Sequence, residues 1–250
     1  MFKIGLELEF YLTKEQKKIS DDSIIDLFIK NLTKKLQEND VKIIEVKKEQ
    51  GIGQIEVTTI AQTNIKNIIN DGNLIKKYSK DIAKSLFLEA NFEARPFLDD
   101  CPSALQINIT LIEKNNNLFQ GNKDNESKIL LNIIAAILNL SKDNLSYFSN
   151  KERFDINYNK KLFSNGKYTA PVNLSWGYDN RSCAIRITGK EENRRLEFRL
   201  CDADINIENA INKLIEMAQY GILNKENPLK PIYGNAFDDN YQENSKVIKL

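Results

Sequence analysis

The chain has 250 residues, with 36 Lys and Arg against 35 Asp and Glu, and it has no histidine. Without an imidazole it has no Ser-His-Asp or Cys-His centre, so acid–base chemistry falls to carboxylates, lysine, tyrosine or solvent. Any metal must be held mainly by oxygen atoms, which favours Mg²⁺, Mn²⁺ or Ca²⁺. A net charge of +1 argues against a nucleic-acid partner, and the longest apolar run is too short for a membrane span. Three cysteines without a C-x-x-C pair predict a reduced, cytoplasmic protein.

Strands and helices alternate along the predicted chain. In chain order, the predicted elements are a strand over 3–12, a helix from the Asp21 cap to about 37, strands over 41–46 and 54–58, a helix over 64–88 broken near Gly72, an extended segment over 92–95, a strand over 105–111, a polar loop over 115–126, a helix over 127–141, strands over 185–187 and 196–200, and a helix over 206–223. This pattern predicts an α+β fold in one domain, 1–250, with 224–250 as an extended tail.

Acidic and arginine side chains recur on the polar faces of the predicted strands. Glu7 and Glu9, two residues apart, point to the same side of one strand. Carboxylates there suit hard divalent cations, and arginines suit phosphate and carboxylate oxygens. The group consists of Glu7, Glu9, Glu49, Glu56, Glu197, Arg181, Arg186, Arg195 and Arg199. Singly, each motif is typical of a solvated strand face or a surface ion-pair ladder. Together they indicate a site where metal-bound nucleotide phosphate meets an acidic substrate.

In their order along the chain, these residues lie in motifs that resemble the glutamine synthetase catalytic domain. The motifs include GLELEF, EQGIGQIEV, PSALQINITL, APVNLSWGYDNRSCAIRI and RRLEFRLCDADIN, collinear over essentially the whole chain. The resemblance implies a curved, mainly antiparallel sheet lined by metal ligands, with helices packed outside, as in guanidino kinases. It also implies an ATP-dependent carboxylate–amine ligase, which phosphorylates a carboxylate and displaces the phosphate with ammonia or an amine.

The resemblance further implies a role for each matching residue. Glu9, Glu49 and Glu56 match the carboxylates of the metal nearer the amino-acid substrate. Glu7 and Glu197 match those of the metal that bridges nucleotide phosphates, and Gln106 takes the position of a histidine ligand. The remaining matches are Arg181 and Arg186 at the ATP phosphates and the transferring phosphoryl group, Arg195, Asn108 and Thr110 at the nucleotide, and Arg199 and Lys161 at the substrate.

The sequence departs from the family mainly where glutamate and ammonia bind. Gln106 and Asn108 replace two histidines, Lys161 replaces an arginine and Thr169 replaces a glutamate that closes over the intermediate. Asp100-Cys101-Pro102 replaces an Asn-Gly pair. The match begins at the first catalytic strand, so we expect the family's separate N-terminal domain to be missing. Because binding and deprotonating ammonia needs negative charge, these changes favour an amine or another acceptor.

The predicted function is therefore an ATP- and Mg²⁺-dependent (or Mn²⁺-dependent) ligase that forms an amide from an amino acid or other small carboxylate and an amine, distinct from ordinary glutamine synthesis. Two alternatives stay open. One is a catalytically degenerate relative that binds nucleotide or a protein partner. The other is a phosphotransferase acting on a small acid or guanidino compound. Neither a nucleic acid nor a membrane is an expected partner, and a homo-oligomer stays open.

Overall fold

The structure is a computed structural model that describes residues 1–121, 126–242 and 248–250. The strands are β1 (Phe2–Lys14), β2 (Lys17–Lys18), β3 (Ile43–Lys48), β4 (Gln54–Thr59), β5 (Glu89–Asn91), β6 (Ala104–Glu113), β7 (Asn116–Asn117), β8 (Asn173–Leu174), β9 (Trp176–Tyr178), β10 (Ile185–Thr188), β11 (Arg195–Asp202) and β12 (Ile248–Lys249). The helices are α1 (Asp22–Glu38), α2 (Ile65–Ser85), α3 (Lys128–Ser141), α4 (Ile156–Ser164), α5 (Ile207–Asn224) and α6 (Asp239–Gln242). Among the described helices, none combines the length and hydropathy that a bilayer span requires.

One open sheet organises the chain. Its main path runs β3-β4-β1-β6-β11-β10-β9, and its described pairings are antiparallel except for β10 with β9. The short strands β2 and β5 pair with β1, β7 pairs with β6, and β8 pairs with β12 in a separate two-stranded sheet. The predicted α+β architecture, a mainly antiparallel sheet with helices packed against it, is confirmed.

The apolar face of the sheet carries the core. On β1 the alternate residues Ile4, Leu6, Leu8 and Phe10 are fully buried, as the period-two pattern predicts. The ring of Phe10 packs edge-on against Phe28 of α1, with their centroids 6.0 Å apart. Burial of large apolar side chains on this face leaves the other face of the same strands to polar residues, which is where a site can form.

Helix α2 shows how closely the helices approach this face. A Cβ added at Gly72 would lie 2.8 Å from Ile207 Cδ1 and 3.0 Å from Leu6 Cδ1. Glycine therefore permits close packing of α2 on β1 and α5. The predicted break near Gly72 is wrong, because tertiary packing compensates for the low helix propensity of glycine.

Other local differences from the predicted elements are small. The segment predicted as extended over 92–95 lies just after the observed strand β5, and the predicted loop over 115–126 contains the short strand β7, with 122–125 outside the described residues. Helix α4 was not predicted, since its nine residues bury only three side chains. The part of 224–250 that is described includes α6 and β12; the division into one domain and a tail stays a prediction.

Candidate active site

The polar face of the sheet forms a cavity of about 460 Å³. All nine acidic and arginine residues that the sequence singled out line it, together with Gln106. Strand register explains this convergence. Glu9 pairs with Glu56 across β1 and β4, Glu7 with Gln106 across β1 and β6, and Glu197 lies between Asn108 on β6 and Arg186 on β10. Residues that share one face of adjacent strands are necessarily neighbours.

The acidic half of the cavity consists of Glu9, Glu49 and Glu56. Glu9 is 7% exposed and Glu56 is 6% exposed, while Glu49 is half-buried beside the turn that leads into β4. Burial, followed by the charges of Glu56 and Glu49, raises the pKa of Glu9 to about 8. Burial and Glu56 likewise raise the pKa of Glu49. These carboxylates therefore repel one another in a site that does not neutralise them fully.

The partners of the acidic half are mostly neutral. Glu9 accepts hydrogen bonds from the Ala104 backbone N–H at 3.0 Å and from Gln106 Nε2 at 2.8 Å. Glu56 accepts from Lys47 Nζ and from the Thr58 hydroxyl, both at 2.9 Å. Lys47 is the cation that contacts this half among the ion pairs of the described residues.

The arginine half of the cavity consists of Glu197, Arg186 and Arg199. Glu197 is 1% exposed, and its two oxygens accept separately from Arg199 Nη1 at 2.6 Å and from Arg186 Nη1 at 3.1 Å. The Nε atoms of both arginines are buried and have no hydrogen-bond partner among the described residues. A buried donor without an acceptor is costly, so these groups favour an incoming oxyanion.

A β-bulge places Arg199 in this half. Pairing of β11 with β6 shifts by one residue between Phe198 and Cys201. Bulges of this kind redirect side chains next to functional sites. Here Arg199 joins both Glu197 and Gln106 Oε1, the latter at 2.9 Å.

Beneath the arginine half lies a buried ion pair that sequence reasoning missed. Arg153 is 1% exposed; its Nε donates to Asp202 at 2.6 Å and its Nη2 donates to the backbone carbonyls of Arg199 and Cys201. Arg153 also lines the cavity. Its segment has no periodic pattern, so only the acidic partner in the motif RRLEFRLCDADIN could have signalled the pair.

The segment before Ala170 contributes to the lining of the cavity and is held by several contacts. Lys167 Nζ donates to the buried carboxylate of Asp100 at 2.6 Å, and the backbone N–H of Tyr168 donates to Gln50 Oε1. The Arg181 guanidinium stacks 4.8 Å from the centre of the Tyr168 ring. These contacts hold the residues beside Thr169, which stands where the resemblance predicts the loss of a glutamate. Thr169 itself lines the cavity.

The predicted nucleotide residues divide between this cavity and a neighbouring one. Asn108 and Thr110 line a second cavity of about 510 Å³, which shares Glu7 and Arg195 with the first. Together the two form one continuous candidate surface for a nucleotide and its phosphates. Lys161, predicted to contact substrate, is exposed on α4 and lines neither cavity.

The two predicted metal positions differ in how well they suit a cation. The three carboxylates of the acidic half are the oxygen donors that Mg²⁺ or Mn²⁺ prefers. Within the ranges the structure describes, no three Asp, Glu or Cys side chains are close enough to form a ready ligand set, so an ion would draw these carboxylates together. In the arginine half, guanidinium groups already occupy both oxygens of Glu197. That arrangement does not fit a cation.

Comparison with known proteins gives a consistent picture. The family profile described as "Glutamine synthetase, catalytic domain" matches residues 20–250. A type-1 glutamine synthetase 2 from Dictyostelium discoideum is 34% identical over 66% of this chain and 32% of its own length. The gamma-glutamylputrescine synthetase PuuA of Escherichia coli K12 is 26% identical over 63% of this chain and 33% of its own length. The chain thus spans about a third of the length of these curated relatives.

A solved structure confirms the fold. The glutamine synthetase of Plasmodium falciparum superposes with a TM-score of 0.76 over 93% of this chain and 53% of that one, at 22% sequence identity. At that identity the likeness concerns the fold alone.

Proposed function

The chain belongs to the glutamine synthetase catalytic-domain family, and from this premise we propose that it carries the catalytic site of an ATP-dependent ligase that joins a small carboxylic acid to an amine. The family uses ATP and divalent metal ions. One observation carries the proposal. The cavity places mutually repelling carboxylates beside two arginines whose buried Nε–H groups have no acceptor within the described residues.

The arginine half supports transfer of a phosphoryl group. Charge on the transferring group and on the acid is spread over oxygens, which guanidinium N–H groups bind in fixed directions. Arg186 and Arg199 are held by Glu197 before any ligand arrives. Such preorganised donors stabilise a transition state by roughly 2.7–4 kcal/mol each.

The acidic half supports the binding of a divalent cation, the other component that the proposed reaction needs. In the proposed enzyme, Glu9, Glu49 and Glu56 would hold a divalent cation, which would supply positive charge to offset the negative charge of the acid and the phosphate. The Ala104 backbone and the Gln106 amide orient the two carboxylate oxygens of Glu9.

The acceptor we propose is an amine other than ammonia. Cys101, Pro102 and Thr169 line the side of the cavity where the family has an Asn-Gly pair and a glutamate. With less negative charge there, the site has less to offer a small ammonium ion, whereas an amine with a larger apolar part gains contacts with the walls. The E. coli relative is, by its name, a gamma-glutamylputrescine synthetase, which is consistent with an amine acceptor.

The experiment that tests this function measures ADP release with Mg²⁺ or Mn²⁺ over a matrix of acids and amines. A ligase releases ADP only when both acid and amine are present. A stable phosphorylated product without an amine would favour phosphotransfer. Absence of turnover together with nucleotide binding would favour the degenerate relative, and ammonia-dependent glutamine formation at ordinary rates would contradict the proposed acceptor.

Two arginine variants make the assay specific to the site. Arg186→Met removes a cavity guanidinium, whereas Arg194→Met removes one that pairs with Glu126 at 2.7 Å and lines neither cavity. We expect ADP release to be lost in the first variant and kept in the second. Equal rates in both would contradict the assignment of the cavity as the reaction site.

A further inference from the structure

The middle strand β6 contributes two amides, and each of them lies between a carboxylate of β1 and an arginine of β11. Gln106 donates through Nε2 to Glu9 at 2.8 Å and accepts through Oε1 from Arg199 at 2.9 Å. Asn108 donates through Nδ2 to Glu7 at 3.0 Å and accepts through Oδ1 from Arg195 at 2.9 Å. The result is two parallel links of carboxylate, amide and guanidinium across three strands.

The chemistry of the two neighbours fixes how each amide is oriented. A guanidinium only donates hydrogen bonds, and in each link an oxygen of the glutamate accepts from the amide N–H group. The amide oxygen must therefore face the arginine and the amide nitrogen must face the glutamate. Turning Gln106 over would place N–H against N–H at Arg199, which loses that bond in a buried site.

This orientation turns the Gln106 oxygen away from β1. Gln106 is 6% exposed, and its oxygen is already bonded to Arg199. On its β1 side it presents an N–H group, which cannot coordinate a cation. The oxygen is available to a metal only if Arg199 gives up its bond.

Glu197 and Glu7 also accept hydrogen bonds from N–H groups of the protein. Each oxygen of Glu197 has its own guanidinium partner, Arg199 at 2.6 Å and Arg186 at 3.1 Å. Glu7 accepts from the Asn108 amide. A divalent cation placed among Glu7, Gln106 and Glu197 would meet an N–H group at Gln106 and two oxygens of Glu197 that already accept from arginines, and the two guanidinium charges would repel it.

We propose that this chain binds no divalent cation among Glu7, Gln106 and Glu197, and that Arg186 and Arg199 supply the positive charge there instead. Gln106 and Asn108 are then positioning residues, which hold Arg199 and Arg195 against the carboxylates of β1. The inference rests on the proposed function for the phosphate that these arginines face. A cation is left to the acidic half alone.

The decisive experiment locates Mn²⁺ directly in crystals of the whole chain, with and without a non-hydrolysable ATP analogue, from anomalous differences measured at the manganese absorption edge. We expect no peak among Glu7, Gln106 and Glu197, and a peak, if Mn²⁺ binds, beside Glu9, Glu49 and Glu56. A peak bounded by Glu7, Gln106 and Glu197 in either crystal would overturn the proposal. Absence of Mn²⁺ from both positions would leave it standing and would remove the metal from the proposed function.

Mn²⁺ binding in solution, followed by electron paramagnetic resonance of the free ion, gives an independent measure. We expect Glu197→Gln to leave the number of bound ions unchanged and Glu56→Gln to lower it. Exposed Glu38→Gln on α1 is the control for the loss of one negative charge. Loss of one ion in Glu197→Gln alone would overturn the proposal. Because this assay needs no turnover, its result is separate from that of the ligase assay.

The positioning role has its own readout in nucleotide affinity. Gln106→Met removes both hydrogen bonds at similar volume, and we expect the dissociation constant of the ATP analogue to rise about tenfold or more. Gln106→His can again accept from Arg199 and donate to Glu9 when it is neutral, so we expect it to restore most of the affinity. Unchanged affinity in Gln106→Met, with the thermal midpoint also unchanged, would contradict the role.

Discussion

In the acidic half of the cavity, Glu9 is 7% exposed and, within the described ranges, accepts hydrogen bonds only from neutral groups, whereas in the arginine half Glu197 is 1% exposed and accepts from two guanidinium groups. Both carboxylates lie on strands of the same sheet and on the same face. At Glu9 the protein leaves the charge for a ligand to balance, and at Glu197 it balances the charge itself.

This difference indicates which kind of ligand, a cation or an oxyanion, each half favours. Unbalanced carboxylates attract a cation, and the raised pKa values of Glu9 and Glu49 reflect the cost of keeping these two groups ionised without one. Arginines that are already oriented, and whose buried Nε–H groups have no acceptor in the described part of the chain, attract an oxyanion.

Arg153→Met should have the largest effect, on stability. It leaves the buried carboxylate of Asp202 without its partner, and breaking a buried pair on one side costs roughly 3–5 kcal/mol. Urea unfolding followed by circular dichroism measures the loss. The double variant with Asp202→Asn should recover part of it, because no unpaired charge remains. A destabilisation below about 1 kcal/mol would mean that the pair does not support the arginine half.

Arg186→Met should lower ADP release by about 10²–10³-fold with little effect on stability. Arg186 keeps some solvent exposure, at 17% of its side chain, and shares Glu197 with Arg199, so the fold does not depend on it alone. Initial rates of ADP release, measured over a range of ATP concentrations at saturating acid and amine, give kcat and the KM for ATP. A loss confined to KM, with kcat intact, would show that Arg186 binds the ground state and not the transferring group.

The acidic half should make the stability of the metal-free protein fall with rising pH. The pKa of Glu9 is raised from its ordinary 4.5 to about 8. The contribution of the protonated carboxyl to folding stability is therefore fully present below pH 4.5 and is lost as the pH rises through about 8. The raised pKa values of Glu7 and Glu49 act in the same direction. Unfolding free energies at about pH 5 and about pH 8, in the presence of a chelator, should therefore decrease in that order.

Mg²⁺ should reverse this decrease. An ion that binds only the folded protein adds about 2.7 kcal/mol at one hundred times its dissociation constant. The gain should be present at about pH 8 and smaller at about pH 5, where Glu9 is protonated. Equal Mg²⁺ stabilisation in wild type and in Glu56→Gln at about pH 8 would contradict a cation in the acidic half.

Thr169→Glu should produce the smallest change, a few-fold rise in ammonia-dependent ADP release relative to that with larger amines. It places a carboxylate back on the cavity wall next to the segment held by Gln50 and Asp100. Since the gain comes from one partly solvated charge, about 1 kcal/mol is the expected scale. Thr169→Gln, without the charge, is the control and should show no shift towards ammonia.

Much of the fold and most of the candidate site could be predicted from the sequence. Strands with alternating residues, such as β1 and β6, follow from their period-two pattern, and the same pattern assigns Glu7 and Glu9 to the face opposite the core. Helix α4 and the short strands β8 and β9 could not be predicted, because few of their residues carry a periodic signal.

For residues on the strands, the face on which each side chain lies was therefore determined by the sequence alone, since side-chain direction along a strand is a local property. The partner of each charge was decided only by the tertiary structure. Arg199 reaches both Glu197 and Gln106 through a bulge, Lys161 stays in solvent on α4, and Arg153 arrives from a distant segment to pair with Asp202. The physical reason is that a buried charge is balanced across strands and segments, by register and packing that no local pattern encodes.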